Sequence, residues 1–213
     1  MTEDCRAALW YSDHIHIAGS RLDGIKALRE CGDIRLEDCQ IISPEFGWNC
    51  HHITMDHVEA QSEYFLMHCD HLILRNVRLT GKYSFQYTKD VIRENCQLDT
   101  KDAFWHAENV VCRSCTIKGE YLAWYSRNVT FDHCTIIGTQ PLCCCQNLQL
   151  VDCRMFGADL AFERSQVDAT LTAPIQSIKN PLSGTIVIPS AGQIIMDIEE
   201  AQGTIIETDK PKK

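Results

Sequence analysis

The segment NVVCRSCTI (residues 109–117) is followed, nineteen and thirty-eight residues later, by NVTFDHCTI (128–136) and NLQLVDCRM (147–155). In each segment an apolar residue follows the asparagine, another comes two residues later, and a cysteine stands two residues before the apolar end. Apolar residues spaced by two lie on one face of a β-strand, because strand side chains alternate between faces. The spacing therefore predicts short strands that recur every nineteen residues.

The same repeat extends over most of the chain without insertions. The first apolar column holds Ile15, Ile34, Ile53, Leu72, Val91, Val110, Val129, Leu148 and Val167. The column two residues later is apolar except at Arg93, and it holds Ile17, Leu36, Met55, Leu74, Arg93, Cys112, Phe131, Leu150 and Ala169. Five residues after the first column stand Ser20, Cys39, Val58, Val77, Cys96, Cys115, Cys134, Cys153 and Thr172. We read these columns as the stacked interior of a solenoid.

A unit of nineteen residues cannot bury its own apolar face, so neighbouring units must stack, with each strand about 4.8 Å from its equivalent. The pattern predicts an all-β fold: a single-stranded parallel β-helix of roughly ten coils. We expect it to be right-handed, because parallel crossovers almost always turn that way. A left-handed hexapeptide helix, with about eighteen residues per coil, and a pentapeptide solenoid, with about twenty, fit the spacing less well.

One β-helix domain is expected over residues 1–197, with incomplete first coils at 1–31, regular coils at 32–164 and cap strands at 165–197. Residues 198–213 read as a polar tail. The first coil shows no cap, which predicts either that further coils precede it or that the chain self-associates through this open edge.

Turn-forming residues separate the apolar columns. One polar column holds His14, Asp33, His52, His71, Asp90, Asn109, Asn128 and Asn147, and a second holds Asp38, His57, Asn76, Asn95, Ser114, His133 and Asp152. A further column consists of Gly24, Ser43, Ser62, Gly81, Thr100, Gly119, Gly138 and Gly157. Such residues accept a positive φ or hydrogen-bond their own backbone, so we place all three columns at turns.

The chain has 13 cysteines, three of them adjacent at 143–145. Most fall in interior columns, so we interpret them as small buried hydrophobic residues stacked from coil to coil. The triplet is expected to occupy one strand, where adjacent side chains point to opposite faces and cannot converge on one ion. The CRSC motif at 112–115 is a weak zinc or redox signal without a second pair. We expect reduced thiols, no metal and no cofactor.

The third strand of each coil carries the aromatic residues, in segments such as YSFQY (83–87) and YLAWY (121–125). In one register Phe46, Phe65 and Leu122 point inward; in the other the column from Leu28 through Phe85 and Phe104 points inward. Either register leaves an aromatic stripe that could bind an extended glycan, since rings pack against sugars, or another protein. Stacking could equally serve stability alone. The candidate ligand-binding residues are Tyr64, His68, Tyr83, Tyr87, Asp102, His106, Tyr121 and Tyr125.

Composition excludes several classes of function. A net charge of -9 and no basic stripe argue against nucleic acid as a partner. The sequence has neither a stretch of roughly 18 apolar residues nor a basic leader, which predicts a cytoplasmic protein without a membrane segment. No paired carboxylates, Ser-His-Asp spacing, phosphate loop or zinc signature indicates an enzyme. His52 and His71 lie one coil apart, and we expect them to be solvated turn residues.

Several blocks resemble a known family: WYS (10–12), KDAFWHAENV (101–110), GEYLAWYSRNV (119–129), DLAFERSQVDA (159–169) and KNPLSG followed by IIMD. They are similar to the bacterial family known as domain of unknown function 3737. The resemblance implies a pectin-lyase-like β-helix with further repeats before residue 1. Family members tend to have Asn in the column of His68, Tyr87, His106 and Tyr125, which implies a turn ladder there. It implies no activity.

The function expected from the sequence is that of a non-catalytic binding or structural module. The alternative is a carbohydrate-active enzyme, or a glycan-binding protein, that uses the aromatic face of the third strand.

Overall fold

The computed structural model describes residues 6–209, and every regular element in that range is a β-strand. The chain forms a parallel β-solenoid of about ten turns, as the periodicity predicts. Residues 1–5 of the expected first coils and 210–213 of the expected tail lie outside the described residues.

The first ten strands are β1 (Asp13–Ala18), β2 (Arg21–Asp23), β3 (Lys26–Arg29), β4 (Gly32–Ile42), β5 (Glu45–Trp48), β6 (His51–Ser62), β7 (Tyr64–Phe65), β8 (Asp70–Arg75), β9 (Arg78–Lys82) and β10 (Lys89–Glu94). The remaining strands are β11 (Gln97–Lys101), β12 (Glu108–Arg113), β13 (Thr116–Lys118), β14 (Arg127–Asp132), β15 (Thr135–Ile137), β16 (Gln146–Phe156), β17 (Val167–Leu171), β18 (Ile175–Lys179), β19 (Thr185–Ile188), β20 (Ala191–Ile195) and β21 (Thr204–Glu207).

Equivalent strands of successive coils pair in parallel and in register. Val91 pairs with Val110, Val110 with Val129, and Val129 with Leu148. Each of these side chains is buried, so the predicted columns form one continuous core along the axis. A fixed repeat of nineteen residues is what keeps each apolar side chain above its equivalent.

The two polar turn columns adopt left-handed backbone conformations. His71, Asn109 and Asn128 of the first column have φ of 53°, 56° and 54°, and Asn76 and Asn95 of the second have φ of 53°. This region is costly for most residues and excludes β-branched side chains. Accordingly, Val, Ile and Thr do not occur among the positive-φ residues of the described chain. The positive φ expected at these two columns is confirmed, although residues of the first column lie within strands such as β8, β12 and β14.

On the third side of the coils, β3, β5 and β7 keep the expected strand, whereas the coils that follow them have turns there. Tyr83, Phe85 and Tyr87 have φ of 48°, 60° and 58°, so every second residue of this segment is left-handed. Side chains then no longer alternate between faces, and both Ser84 and Phe85 are buried. Ala27 with Leu28, and Ala103 with Phe104, show the same paired burial. The two predicted registers are therefore not alternatives, because the structure buries residues from the inner column of each.

The cysteine triplet lies on this third side, outside any strand. Cys143 and Cys145 are buried, and Cys144 is half-buried. The Cys145 thiol donates to the carbonyl oxygen of Ala123 at 3.1 Å. The expected strand for the triplet was wrong, for the same backbone reason, while two of its thiols do line the interior.

The C-terminal segment keeps the solenoid going further than the sequence predicts. Ala169 pairs with Ile186, a step of 17 residues, and Ile186 pairs with Ile205, a step of 19. Strand β21 thus lies inside the segment expected to be a polar tail, and it pairs in parallel with β19. The tail assignment was wrong for Thr204–Glu207, because one coil shortened by two residues hides the return of the repeat.

Replacing Val110 by Asp should lower the free energy of unfolding by about 3–5 kcal/mol, because it buries an unpaired charge in the stack. Its neighbour Val111, on the same strand, is not buried and provides the matched control as Val111→Asp. Thermal and urea unfolding of both variants measures the difference. Equal stability of the two variants would contradict the assignment of inner and outer columns.

Candidate binding surface

A groove runs along the outside of the solenoid over five successive coils. One residue from each coil forms its wall, and this wall consists of Asp33, His52, His71, Asp90 and Asn109. The floor is formed mainly by Arg35, Thr54, Ile73 and Ile92, and the groove encloses about 660 Å³. With coils about 4.8 Å apart, the wall extends over about 19 Å. The groove is therefore long and parallel to the axis.

The wall is a polar ladder held by contacts between coils. The Asp33 carboxylate lies 3.2 Å from His14 Nδ1 and 3.4 Å from His52 Nδ1. The His52 and His71 rings lie 4.8 Å apart between centroids. Further along, Asn109 donates to the Asp90 carboxylate at 2.8 Å. The wall thus presents imidazole, carboxylate and amide groups at a regular spacing.

His71 is the wall residue whose pKa is raised by its neighbours. Its Nδ1 lies 2.6 Å from Asp70 Oδ1, and its Nε2 lies 3.9 Å from Asp90 Oδ2. The hydrogen bond to Asp70 raises the pKa of His71, and the charge of Asp90 adds to the effect. More of the His71 side chain is therefore cationic near neutral pH than for an ordinary histidine.

The floor of the groove is an exposed apolar strip. Ile92 is 39% exposed although it belongs to a strand, and Ile73 below it is half-buried. They belong to the outward-facing column His16, Arg35, Thr54, Ile73, Ile92, Val111, Thr130 and Gln149. Sequence reasoning missed this site. Its signal was the run of three apolar residues in a column that is otherwise polar.

The predicted aromatic residues form a second ladder beside the groove. His68 stacks on Tyr87 at 4.7 Å between ring centroids, Tyr87 on His106 at 5.2 Å, and His106 on Tyr125 at 5.2 Å. The ring planes are within 12° of parallel. Tyr87 and His106 therefore have both faces covered by neighbouring rings, and they present their edges to solvent. Tyr87 and Tyr125 are 44% and 49% exposed.

The ring ladder and the groove wall share one corner of the solenoid. His68 precedes His71 by three residues, and Tyr87 precedes Asp90 by three, a chain length of at most about 10 Å. The corner therefore carries ring edges on one side and the polar wall and apolar strip on the other.

The other predicted aromatic residues are held more tightly. Tyr64 stacks on Tyr83 at 5.3 Å between centroids, and Tyr121 meets Trp124 edge-on at 5.3 Å. Trp124 also donates from Nε1 to the Gln140 carbonyl oxygen at 2.7 Å. Tyr64, Tyr83 and Tyr121 are half-buried.

Asp102 was expected to point outside, but it is only 8% exposed. Burial raises the pKa of its carboxyl group, which the charge of Lys101 partly offsets. The Lys101 ammonium lies 3.9 Å from both the Asp102 and the Glu120 carboxylates. Because the left-handed conformation of Asp102 (φ 53°) redirects its side chain, the simple strand register misplaced it. Glu120 is thus a second acid near Asp102, in the next coil but in a different column.

Among the described residues, no group of three or more His, Cys, Asp or Glu side chains is arranged to hold a metal ion. Every cysteine in the described range is a free thiol. The structure also contains, over these residues, no helix long and apolar enough to cross a membrane.

Together, the in-register coils and the axial corner define a parallel β-solenoid with a candidate surface site along this corner. A family model described as protein of unknown function (DUF3737) matches residues 1–208, so the chain belongs to that family. The search of curated proteins returned no match, and the search of solved structures returned none.

Replacing Asp70 by Asn should shift the pKa of His71 back towards its ordinary value, because the hydrogen bond to Asp70 is the main cause of the increase. NMR titration of the imidazole resonances measures the shift. The matched control, Asp90→Asn, should move the His71 pKa less. A larger effect of Asp90→Asn would contradict the contacts described for this wall.

Replacing Tyr87 by Ala should lower the free energy of unfolding by about 1–2 kcal/mol, because two stacking contacts are lost together with the ring. Tyr87→Phe keeps both contacts and should leave stability within about 0.5 kcal/mol of the parent. Urea unfolding of the two variants tests whether the ladder stabilises the coils. Wild-type stability for Tyr87→Ala would show that the stacking contributes nothing.

Proposed function

We propose that this protein is a non-catalytic module that binds an extended glycan along the corner formed by the groove and the ring ladder. The observation that carries the proposal is the axial groove, with an apolar floor at Ile73 and Ile92 beneath the polar wall from Asp33 to Asn109. Sites for small polar ligands combine apolar surface with a few placed hydrogen-bonding groups.

The regular spacing of the site favours a polymer. His52, His71 and Asp90 stand one coil apart, so similar polar groups recur every 4.8 Å or so along the axis. A ligand with repeating hydroxyl groups meets an equivalent set of donors and acceptors at each step. The hydroxyl edges of Tyr87 and Tyr125 add hydrogen-bonding groups on the far side of the corner.

A glycan fits this surface better than an extended peptide does. Peptides commonly bind sheets by adding a strand through backbone hydrogen bonds at a free edge. At the groove, however, β8, β10 and β12 already pair with their neighbours on both sides. Recognition must therefore use side chains, and imidazole, carboxylate and amide groups are good partners for sugar hydroxyls.

Binding without catalysis is supported by the positions of the acids in the groove. Asp33 and Asp90 are separated by three coil steps, about 14 Å, whereas paired glycosidase carboxylates lie about 5–10 Å apart. Asp70 and Asp90 lie closer together, since both contact the His71 imidazole, at 2.6 and 3.9 Å, but that imidazole stands between them and holds both carboxylates as its charge partners.

A second candidate, a carbohydrate-active enzyme, is favoured by one observation. Asp102 has a raised pKa, as a general acid requires, and Glu120 reaches the same lysine. Asp102 is itself buried, which counts against access by a polymer. Loss of turnover in Asp102→Asn, with binding retained, would favour this candidate.

We also propose a reducing compartment such as the cytoplasm. Twelve free thiols in the described range, eleven of them buried, are typical of proteins that fold where thiols stay reduced.

The function is tested by screening the purified protein on a glycan array, followed by calorimetry with the best oligosaccharide. Ile92→Glu should weaken binding by at least about tenfold, because it places a charge on the apolar floor. Thr130→Glu, in the same outward column but beyond the groove, is the matched control and should bind like the parent.

Equal binding by Ile92→Glu and the parent, with loss in Tyr87→Ala, would move the site to the ring ladder. Turnover of the bound oligosaccharide would favour the enzyme. Failure of every glycan to bind would overturn the proposal.

A further inference from the structure

Arg93 is a charged side chain inside the hydrophobic core. It replaces an apolar residue in the second interior column, and it is 0% exposed. Its Nε, Nη1 and Nη2 atoms are buried and have no hydrogen-bond partner. Buried charges are normally paired, and an unpaired one is strongly unfavourable. Arg93 therefore requires a compensating group.

Two aromatic rings contact the guanidinium but cannot replace a counter-charge. Its carbon lies 3.8 Å from the centroid of Phe85 and 5.2 Å from that of Phe104. Such cation–π contacts are weaker than the desolvation cost of a buried ion. A guanidinium also does not lose its proton in proteins. The charge must be balanced by a negative group.

Carboxylates near Arg93 are engaged elsewhere. Glu94 is next in sequence, but it is not buried and bonds Arg75 and Arg113 outside the solenoid. Asp102, the one buried acid in the described chain, has Lys101 and Glu120 as its charged neighbours. The remaining groups that can carry a negative charge in this part of the core are thiols.

Three buried cysteines surround Arg93 in the coil stack. Cys112 is its register partner on the next strand. Cys96 follows three residues later in the same coil, and its backbone N–H donates to the sulfur of Cys115 at 3.4 Å. Hydrogen bonding with Cys115 and burial raise the pKa values of Cys96 and Cys112, and the charge of Arg93 opposes that increase; only the pKa of Cys115 is lowered. The ionisable groups beside Arg93 in the coil stack are thus thiols.

Cys115 differs from the other thiols of its column. The sulfur atoms of Cys96, Cys134 and Cys153 each contact the carbonyl oxygen 22 residues earlier, at 3.5, 3.3 and 3.3 Å. For Cys115 that carbonyl would belong to Arg93, and the contacts of its sulfur within the described chain are instead with Cys96 N–H and the Arg113 carbonyl. Its sulfur accepts from the Cys96 N–H, and it shares with the other three the contact to the carbonyl oxygen two residues earlier, so Cys115 is set apart by lacking the contact 22 residues earlier.

We infer that Cys115 is deprotonated in the folded protein, so that an internal thiolate neutralises Arg93 while the Cys112 thiol and the Cys96 backbone N–H donate to it. The proton lost by the thiol goes to solvent as the coils close. The core then holds a guanidinium–thiolate pair between rings, with no net charge.

Shifts of the neighbouring thiols agree with this arrangement. Hydrogen bonding from Cys112 lowers the pKa of Cys115, and Cys96 adds to that effect, while Cys134 opposes it. The same hydrogen bond, together with burial, raises the pKa of Cys112. One sulfur of the cluster thereby takes the charge and its neighbours keep their protons.

The pair has a consequence for stability. A cysteine whose folded pKa is lowered contributes stability above its unfolded pKa, near 8.5, and this stability is lost as the pH falls through the folded value. The unfolded chain binds more protons than the folded one between these two values. Stability should therefore increase with pH in this window.

The direct test is NMR of the full chain labelled with ¹³Cβ-cysteine. The resonance that disappears in Cys115→Ser identifies Cys115, and at neutral pH it should have the shift of a thiolate. In Arg93→Met the Cys115 resonance should move to the shift of a thiol. This variant is expected to fold, since Met55 occupies the same column in another coil and apolar replacement of buried charges is tolerated.

A double-mutant cycle provides the second test and uses urea unfolding. Cys115→Ser should destabilise the parent more than it destabilises Arg93→Met, because the serine hydroxyl cannot neutralise the guanidinium. Cys39→Ser, four coils earlier in the same column, is the matched control and should cost the same in both backgrounds.

A thiol shift for Cys115 in the parent at neutral pH would overturn the inference, whether or not Arg93→Met folds. Stability that depends on chloride concentration and loses this dependence in Arg93→Met would also overturn it, since a bound halide would then be the counter-ion.

Discussion

The parallel, in-register pairing of successive coils is the constraint on which the rest of this structure depends. It places Val91, Val110, Val129 and Leu148 in one buried row, and it does the same to the turn residues. Residues at equivalent positions of successive coils therefore form ladders along the axis. Asparagine amides hydrogen-bond from coil to coil, and aromatic rings stack on the rings of the next coil. Charged side chains likewise lie beside the residues at their equivalent positions, one coil spacing of about 5 Å away.

That repetition explains what could be predicted from the sequence. The columns, the parallel fold and the polar turns follow from a fixed period, and residues such as Asn109 mark a left-handed backbone by type. The third side could not be predicted, because Phe85 and Leu142 adopt φ of 60° and 64° although nothing in their chemistry favours it. Coil pairing on both sides imposes that conformation. The groove was missed since Ile73 and Ile92 read as ordinary strand residues.

On such a scaffold, a ladder can bind a ligand only where its side chains are not covered by those of the neighbouring coils. The ring ladder covers its own faces and leaves only edges exposed, whereas the groove combines the apolar surface of Ile92 with the imidazole and amide edges of the wall. Arg93 is the opposite case: a charged residue occupies an interior column, and a neighbouring sulfur atom is proposed to compensate its charge. In the core and on the surface alike, the effect of a substitution depends on the residues at the equivalent position in the neighbouring coils.

The central functional claim is that the corner binds a polymer whose repeat follows the coils. It is tested most directly by measuring affinity for oligosaccharides of increasing length from one glycan series. The account predicts weak binding of the monosaccharide, affinity that increases with each added sugar, and a plateau once the ligand fills the length of the five-coil groove. A monosaccharide that binds as tightly as its longer homologues would contradict it.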